Sequence, residues 1–154
     1  MKVLFVCSAN ICRSALAEVI LRSELQSLGI EGVEVSSAGV DNFSGRNRDD
    51  TMRRMARESG YELGGISRQI SRDEVNTYDL IVVMDWKHYV DIQKILNYDR
   101  WDRLHMFLEV SLSAEGNVPD PSYDTEERYR NVFRLIQDGC RELARRIGEG
   151  SFTH

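Results

Sequence analysis

Two runs of consecutive apolar residues mark the strands that this chain is predicted to bury most deeply. Residues 3 to 6 read Val-Leu-Phe-Val and residues 80 to 84 read Leu-Ile-Val-Val-Met. Strands that are apolar at successive positions are covered on both faces, as in a parallel sheet with helices on each side. Residues 33 to 36 and 104 to 108 are weaker strand candidates. The alternation within residues 33 to 36 is typical of a strand nearer the edge of a sheet.

Helical periodicity fills the segments between these strands. Apolar residues repeat every three or four positions from Ala17 to Leu28, and Gly29 offers a C-terminal stop, so a helix is predicted after the first strand. Residues 51 to 59 and 86 to 97 are further helix candidates. The last helix has the clearest apolar face, which consists of Tyr129, Val132, Phe133, Ile136, Cys140, Leu143 and Ile147.

Alternating strands and helices predict a single-domain α/β fold: a four-stranded parallel twisted sheet with helices on both faces, in a Rossmann-like arrangement. No fixed-period repeat, low-complexity tract or linker divides the 154 residues. We place the domain at residues 1 to 147 and expect residues 148 to 154 to form a flexible C-terminal tail. Ligands of such folds bind beyond the carboxyl ends of the strands, so the loop after residue 6 is the first candidate site.

Composition narrows the class of partner. The chain has 20 lysines and arginines against 25 aspartates and glutamates, and this net charge of −5 argues against a broad cationic surface for nucleic acid or an anionic membrane. No apolar run is long enough for a membrane span or for the core of a signal peptide. Three cysteines, an odd number, favour reduced thiols over a disulfide scaffold. We therefore expect a cytoplasmic protein without membrane insertion.

The loop between the first strand and the first helix carries the candidate chemistry. It reads Cys7-Ser8-Ala9-Asn10-Ile11-Cys12-Arg13-Ser14. Its backbone N–H groups and the helix N-terminus can form a cup for an anion. Arg13 can bind two phosphate oxygens, and the positive potential favours the thiolate of Cys7, which makes Cys7 a candidate nucleophile. Asn10 tolerates the left-handed backbone of a tight cup, and the Ser14 hydroxyl can donate to a thiolate.

The segment Cys-x5-Arg-Ser, directly after Val-Leu-Phe-Val, resembles the phosphate-binding loop of the low-molecular-weight protein tyrosine phosphatases. The resemblance covers nearly the whole chain, with further matching segments at residues 36–39, 67–70, 78–80, 84–85 and 120–121. It implies hydrolysis of phosphotyrosine through a cysteinyl-phosphate intermediate. In that reaction Cys7 is the nucleophile, Arg13 binds the phosphate, and Asp120 is the general acid and base.

The resemblance also implies which residues contact the substrate. The loop would hold the phosphate, and two aromatic walls would hold the substrate ring. The predicted substrate-binding residues are Ser8, Ala9, Asn10, Ile11, Cys12, Ser14, Phe43 and Tyr123. Phe43 as a lone surface or core aromatic is the alternative interpretation. The resemblance implies no metal or other cofactor, and His88, His105 and His154 lack the spacing of metal ligands.

Four positions depart from the family pattern. Ser122 stands where the acid loop often has an aromatic residue, and Ala15 stands where proline is usual. Ala9 replaces the usual glycine, so it must avoid a positive φ or tolerate strain. Gly65 stands near the place where some members have a histidine that supports the loop, which leaves open what supports the loop here, with Ser37 as one candidate.

Cys12 has two interpretations. In some family members such a neighbour forms a reversible disulfide with the nucleophile, which makes Cys12 a redox candidate. The alternative is an inert thiol that packs under the first helix. Cys140 lies on the apolar face of the last helix and is predicted to be a core residue, so the cysteine relay of the related arsenate reductases is not expected.

Two further functions are kept as alternatives. Phosphoarginine phosphatases tend to have threonine where this loop has Ile11, which favours phosphotyrosine as the substrate. The second alternative is a phosphate-binding redox sensor of low turnover, and the presence of Cys7, Arg13 and Asp120 argues against it. A nucleotide-binding module is disfavoured because the loop lacks the Gly-Lys-Ser/Thr signature.

The expected partner is a phosphotyrosine-containing protein, and no nucleic-acid partner is expected. At the level of the family, that substrate is expected to be a bacterial tyrosine kinase or an exopolysaccharide-assembly protein. The chain is expected to be a monomer or a weak dimer. Five arginines lie between residues 45 and 57 against two aspartates, a local charge of +3. We hypothesise that Arg46 and Arg48 in this stretch bind acidic residues that flank the phosphotyrosine.

Overall fold

The computed structural model describes residues 1 to 152, and four parallel strands in these residues form one sheet. They are β1 (Lys2–Cys7), β2 (Glu34–Gly39), β3 (Leu80–Val83) and β4 (Leu104–Met106), in the spatial order β2-β1-β3-β4. In the pairing register, Cys7 of β1 lies opposite Gly39 of β2, and Val6 lies opposite Val83 of β3. The two apolar runs are therefore the central strands, and β2 lies at an edge, as predicted.

Helices connect the strands and cover both faces of the sheet. They are α1 (Arg13–Ser27), α2 (Asp50–Glu58), α3 (Arg72–Val75), α4 (Trp86–Gln93), a 3₁₀ helix (Tyr98–Arg103), α5 (Phe107–Leu112) and α6 (Glu126–Gly148). Gly29 stops α1 as predicted, since it takes a left-handed φ of 69° just beyond the C-cap Leu28. Among residues 1 to 152, no helix combines the length and the hydropathy needed to cross a bilayer.

Alternate residues of β1 face two separate cores. Val3, Phe5 and Cys7 pack on one side with residues of α1, α2, α5 and α6. Leu4 and Val6 pack on the other side with residues of α3 and α4. The predicted apolar face of α6 is buried along its whole length. Because β1 is held on both faces, the carboxyl end of this strand, where Cys7 lies, is a rigid base for the loop that follows.

The structure differs from the sequence prediction in three segments of the chain. Residues 107 and 108, predicted to extend the fourth strand, begin α5, because a short apolar run looks the same in a buried strand and a buried helix. The helix predicted over residues 86 to 97 ends at Gln93, and a 3₁₀ helix follows from Tyr98. The four-residue α3 and the six-residue α5 are too short for periodicity to reveal.

The C-terminal segment turns back onto the domain. The predicted boundary at residue 147 falls one residue before the end of α6 at Gly148. Beyond the helix, Phe152 packs beside the core, and the guanidinium carbon of Arg146 lies 5.1 Å from the centre of its ring. The predicted tail extends to residue 154, and its last two residues, His154 included, lie outside the described part of the chain.

Candidate active site

The loop of residues 8 to 12 leaves the carboxyl end of β1 and enters α1 at Arg13. It lies close against the end of the neighbouring strand. A Cβ atom on Gly39, at the end of β2, would lie 2.6 Å from the Ser8 carbonyl oxygen and 2.9 Å from the Ala9 carbonyl carbon. Only glycine leaves room for this approach, so the last residue of the 36–39 segment positions the loop.

Five carbonyl groups of the loop point into hydrogen bonds with the surrounding protein. Four of them accept from backbone N–H groups: the Cys7 carbonyl from Val40, the Ser8 carbonyl from Asp41, the Ile11 carbonyl from Asp49 and the Cys12 carbonyl from Leu16. The fifth, the Asn10 carbonyl, accepts from the Arg48 guanidinium. The peptide bonds of the described residues are trans, so each N–H points opposite to the preceding carbonyl. The N–H groups of residues 8, 9, 11, 12 and 13 therefore face away from these partners and can bind an anion together.

Cys7 lies at the base of the loop, where it is 3% exposed and its Sγ is 2.9 Å from the Ser14 Oγ. The Asn10 side-chain amide donates to the same Ser14 oxygen at 3.0 Å, and the Ala38 carbonyl is a more distant acceptor at 3.5 Å. The Ser14 proton can therefore point at the Cys7 sulfur, where it stabilises a thiolate. Asn10 has the left-handed φ of 61° that asparagine tolerates, and Ala9 avoids a positive φ.

Both ends of the Asn10 amide are fixed. Its Nδ2 donates to the Ser37 Oγ at 2.9 Å, and Ser37 donates to the Glu18 Oε1 at 3.0 Å. Its Oδ1 accepts from the Arg68 N–H at 3.1 Å and from the Arg48 Nη1 at 3.2 Å. Because both of these groups can only donate, the amide has one orientation. Ser37 is thus one of the residues that support the loop, together with Arg48 and Arg68, whose contacts with the loop the sequence did not predict.

Arg48 is turned inward, contrary to the hypothesis that it binds acidic residues of a substrate. It is 9% exposed, and its Nε donates to the Gly64 carbonyl at 2.9 Å while its Nη1 donates to Asn10. Arg46 stays at the surface, with its guanidinium carbon 4.9 Å from the centre of the Phe43 ring. A run of charged residues in a sequence does not indicate which of them the fold buries, and for this reason the hypothesis about Arg48 was wrong.

Arg13 links the loop to two other segments at the same edge of the sheet. It is 3% exposed, and its Nη1 donates to the Val118 carbonyl at 2.9 Å and to the Asp85 Oδ2 at 3.3 Å. Its Nη2 lies 3.9 Å from the Asp120 Oδ2. Burial raises the pKa of Asp85, but the charges and hydrogen bonds of His88 and Arg13 outweigh burial and hold that pKa below its usual value. Asp85 is therefore ionised and fixes the guanidinium of Arg13.

Asp120 is oriented by the residue two positions further on. Its Oδ1 accepts hydrogen bonds from the Ser122 N–H at 3.1 Å and from the Ser122 Oγ at 2.8 Å. Its Oδ2 is the oxygen that faces Arg13, and the Asp120 side chain is 52% exposed. Ser122, which stands where the family often has an aromatic residue, therefore fixes the direction of the carboxyl group.

Ser8 is held by a histidine that the sequence did not single out as functional. The Nε2 of the fully buried His88 lies 2.8 Å from the Ser8 Oγ, and its Nδ1 accepts from the Asp85 backbone N–H at 3.3 Å. Burial lowers the pKa of His88 to about 4 although Asp85 opposes this, so the ring is neutral at pH 7 with its proton on Nε2. Asp-x-x-His at the start of α4 forms a capping box, and that pattern was the available signal.

A cavity of about 50 Å³ opens on the concave side of the loop. Its lining residues are Cys7, Ser8, Ala9, Ile11, Cys12, Arg13, Asp120 and Ser122. Asn10 and Ser14 are fully buried, so they support the loop without lining this cavity. Phe43 is 40% exposed and Tyr123 is fully exposed, and their roles as ring walls stay predictions. Within residues 1 to 152, no group of His, Cys, Asp and Glu side chains is arranged to hold a metal ion.

The other two cysteines are buried thiols. Burial raises the pKa of Cys12 well above its usual value, and Asp49 and Cys7 raise it further. Burial also raises the pKa of Cys140, which donates to the Ala17 carbonyl at 3.6 Å between α6 and α1 and is a core residue. All three cysteines are free in this structure, and a disulfide between Cys7 and Cys12 stays a prediction.

The fold and the site define a class of protein, in which a cysteine lies at the base of an anion-binding loop between the first strand and the first helix of an α/β domain. The sequence model of the low molecular weight phosphotyrosine protein phosphatase family matches residues 2–151. The low molecular weight protein-tyrosine-phosphatase YfkJ of Bacillus subtilis is 31% identical over 145 residues, which cover 92% of this chain and 92% of that protein. The chain belongs to this family of cysteine-dependent protein tyrosine phosphatases.

Solved structures show the same fold. A protein tyrosine phosphatase from Entamoeba histolytica superposes with a TM-score of 0.91 at 28% identity, over 98% of this chain and 99% of that chain. The YwlE arginine phosphatase superposes with a TM-score of 0.89 at 23% identity, over 97% of both chains. At that identity, the likeness to YwlE shows a shared fold and does not indicate a shared substrate.

Proposed function

We propose that Cys7, Arg13 and Asp120 hydrolyse phosphotyrosine in proteins through a cysteinyl-phosphate intermediate. One observation carries the proposal: the three side chains line a single cavity on the concave side of an anion-binding loop. The cavity holds a nucleophile at its base, a fixed cation beside it and a partly exposed carboxyl group, which are the parts that transfer of a phosphoryl group requires.

The reaction has two steps. In the first step, the Cys7 thiolate attacks phosphorus, the bond to the tyrosine oxygen breaks, and the protonated Asp120 carboxyl gives its proton to that leaving oxygen. In the second step, water attacks the phosphorus of the cysteinyl phosphate and passes a proton to the Asp120 carboxylate. The P–S bond then breaks, inorganic phosphate leaves, and Cys7 returns as a thiolate.

Charge that develops on the phosphoryl oxygens is stabilised by groups that are already in place. Arg13 supplies a planar guanidinium, and the loop supplies N–H groups next to the positive end of α1. Ser14 donates to the Cys7 sulfur and so stabilises it both as nucleophile and as leaving group. Because both Oδ1 contacts of Asp120 come from Ser122, we assign the transferred proton to the Oδ2.

We infer that the substrate is a phosphotyrosine-containing protein in the cytoplasm, where the thiol of Cys7 is kept reduced. A tyrosine kinase or an exopolysaccharide-assembly protein of a bacterial host is the candidate substrate. Ile11 supports phosphotyrosine over phosphoarginine, because this apolar side chain lines the cavity and offers no acceptor to a guanidinium group. We infer that the chain acts as a monomer or a weak dimer, since one chain supplies the residues that line the cavity.

The test is hydrolysis of a phosphotyrosine peptide, with a phosphoarginine peptide in parallel and a chelator present. We expect the wild type to release phosphate from the phosphotyrosine peptide and Cys7→Ser to release none, because the variant lacks the thiolate. We expect Asp120→Asn to lower kcat by about a hundredfold, the usual scale of general acid catalysis.

Asp124→Asn is the matched control for the Asp120 variant. Asp124 is exposed and lies four residues further on, outside the cavity lining. Its variant should keep the wild-type kcat. Activity of Cys7→Ser equal to that of the wild type would contradict the proposal, and a preference for the phosphoarginine peptide would contradict the assigned substrate.

A further inference from the structure

A buried arginine lies behind the phosphate-binding loop and contacts one residue of the loop twice. The Arg48 Nη1 donates to the backbone carbonyl of Asn10 and, at 3.2 Å, to the Asn10 Oδ1. Its Nε donates to the Gly64 carbonyl at 2.9 Å, which anchors the guanidinium from the opposite side. We propose that Arg48 is a positioning residue for phosphate binding, which acts through Asn10.

The first contact sets the direction of a peptide group. Because the peptide between Asn10 and Ile11 is trans, the Ile11 N–H points opposite to the Asn10 carbonyl. Arg48 draws that carbonyl outward, so the Ile11 N–H is turned toward the cavity that Ile11 lines. The four other outward carbonyls of the loop are held by backbone N–H groups, and Asn10 is the position where a side chain does this.

The second contact sets the direction of the Asn10 amide. With Oδ1 occupied by donors from Arg48 and Arg68, the Nδ2 must be the end that faces Ser14. The bond from Nδ2 to the Ser14 Oγ leaves the Ser14 proton for the Cys7 sulfur, 2.9 Å away. One arginine therefore directs an N–H group at the phosphate and, through the Asn10 side chain, the Ser14 hydroxyl at the nucleophile.

The surroundings of Arg48 suit a buried cation. A Cβ atom on Gly65 would make an ordinary van der Waals contact of 3.5 Å with the Arg48 Nη2, so the guanidinium lies directly beside position 65. Burial lowers the pKa of Arg48, and the nearby charges of Glu18 and Cys7 oppose that effect. The ordinary pKa of arginine lies so far above neutral pH that Arg48 keeps its charge and its donor hydrogens. Gly65 has no side chain that could support the loop, and the Arg48 guanidinium holds the loop from this side.

The test measures binding of inorganic phosphate by isothermal titration calorimetry to the wild type and to Arg48→Gln, Arg48→Lys and Arg57→Met. We expect Arg48→Gln to raise the Kd for phosphate about tenfold, because the Asn10 carbonyl loses its charged donor and the Ile11 N–H of the same peptide group is no longer held toward the cavity. Arg48→Lys keeps the charge but cannot contact Asn10 and Gly64 at the same time, so its Kd for phosphate should lie between that of the wild type and that of Arg48→Gln. Arg57 is exposed on α2, and its variant removes the same charge without touching the loop.

A role in overall stability alone would lower the melting temperature of the Arg48 variants and leave their phosphate Kd unchanged, and that result would overturn the inference. So would an Arg48→Lys variant with the full affinity of the wild type, because charge rather than geometry would then suffice. The inference rests on the proposed function for its meaning in catalysis, but phosphate binding needs no turnover. A wild type that binds phosphate without hydrolysing phosphotyrosine would refute the proposed function while the affinities still decide the role of Arg48.

Discussion

His88 shows how far burial can change a single side chain near the site. Its ring is fully buried between the Ser8 hydroxyl and the Asp85 backbone, and its pKa is lowered from 6.5 to about 4. The unfolded chain therefore binds a proton between these two pH values that the folded chain does not bind. A group with a lowered pKa of this kind makes the folded state less stable as the pH falls from about 6.5 to 4.

We predict that His88→Gln removes this part of the pH dependence. Above pH 7, the residue at position 88 should add no pH dependence to the free energy of unfolding of either protein. Below pH 7, the free energy of unfolding of the wild type should fall by up to about 1.4 kcal/mol per pH unit more than that of the variant. Urea unfolding at a series of pH values measures the difference. Burial also lowers the pKa of His105, but that residue is present in both proteins, so the comparison isolates His88. Parallel stability curves for the two proteins would refute the assignment.

Residues whose role depends on local sequence could be predicted, and residues whose role depends on side-chain direction could not. Cys7, Arg13 and Asn10 lie in a short loop after a buried strand, where backbone geometry alone leads them to one place. Arg48 reaches the loop from the segment just before α2, and His88 reaches it from α4, and only the packed sheet determines the relative positions of these elements. Arg48 lies in a charged run that is typical of an exposed surface, and the capping-box pattern of His88 predicts the start of a helix but no contact with the loop.

At the scale of elements, the contact between the end of β2 and the loop is the tightest constraint on the site. We predict that Gly39→Ala lowers kcat/KM for the phosphotyrosine peptide at least about tenfold, because the added Cβ would meet backbone atoms of Ser8 and Ala9 at 2.6 and 2.9 Å. The loop would have to move, and overpacking of this kind also costs about 1 to 3 kcal/mol of stability. Steady-state kinetics and urea unfolding measure the two effects.

Gly139→Ala is the matched comparison for Gly39→Ala. Gly139 lies on α6, where an added Cβ would lie 2.4 Å from the Phe107 ring of α5, among core residues of the domain. This variant should lose stability and keep its kcat/KM when assayed well below its melting temperature. Equal losses of activity in both variants would show that the effect of Gly39→Ala is one of stability and not of loop position.

Element type could be predicted where the hydrophobic pattern is long, and not where it is short. The buried face of α6 and the runs in β1 and β3 carry enough residues to define a period and a partner layer. At residues 104 to 108 the chain changes from a three-residue strand to a helix within one apolar run, and no change in polarity marks the change. That boundary is set by packing of Phe107 against β1 and α6.

For the whole molecule, the net charge of −5 does not describe the field at the site. Much of the positive stretch from residue 45 to 57 is neutralised or turned inward, since Arg53 pairs with Asp50, Arg54 pairs with Glu58 and Glu126, and Arg48 is buried. An anion is instead met by the loop N–H groups and Arg13. The chain therefore binds one small anion without a broad cationic surface.

We predict that phosphate stabilises the whole domain, because a ligand that binds only the folded state adds to the free energy of unfolding. At a concentration a hundred times its Kd, phosphate should add about 2.7 kcal/mol, measured as a rise in the urea midpoint. Arg13→Ala should lose most of this rise, since it lacks the guanidinium at the cavity. The same rise with sodium chloride at equal ionic strength would contradict a specific site.

The three cysteines lie at different depths of one domain: Cys7 at the base of the cavity, Cys12 in its wall, and Cys140 sealed between α1 and α6. Cys7 and Cys12 line the cavity, so a small thiol reagent reaches them from the cavity or when the loop alone opens. Cys140 is fully buried and reacts only when α1 and α6 separate. Mass spectrometry of the native cysteines after reaction with a thiol reagent can therefore show which part of the protein has opened, without an introduced labelling site.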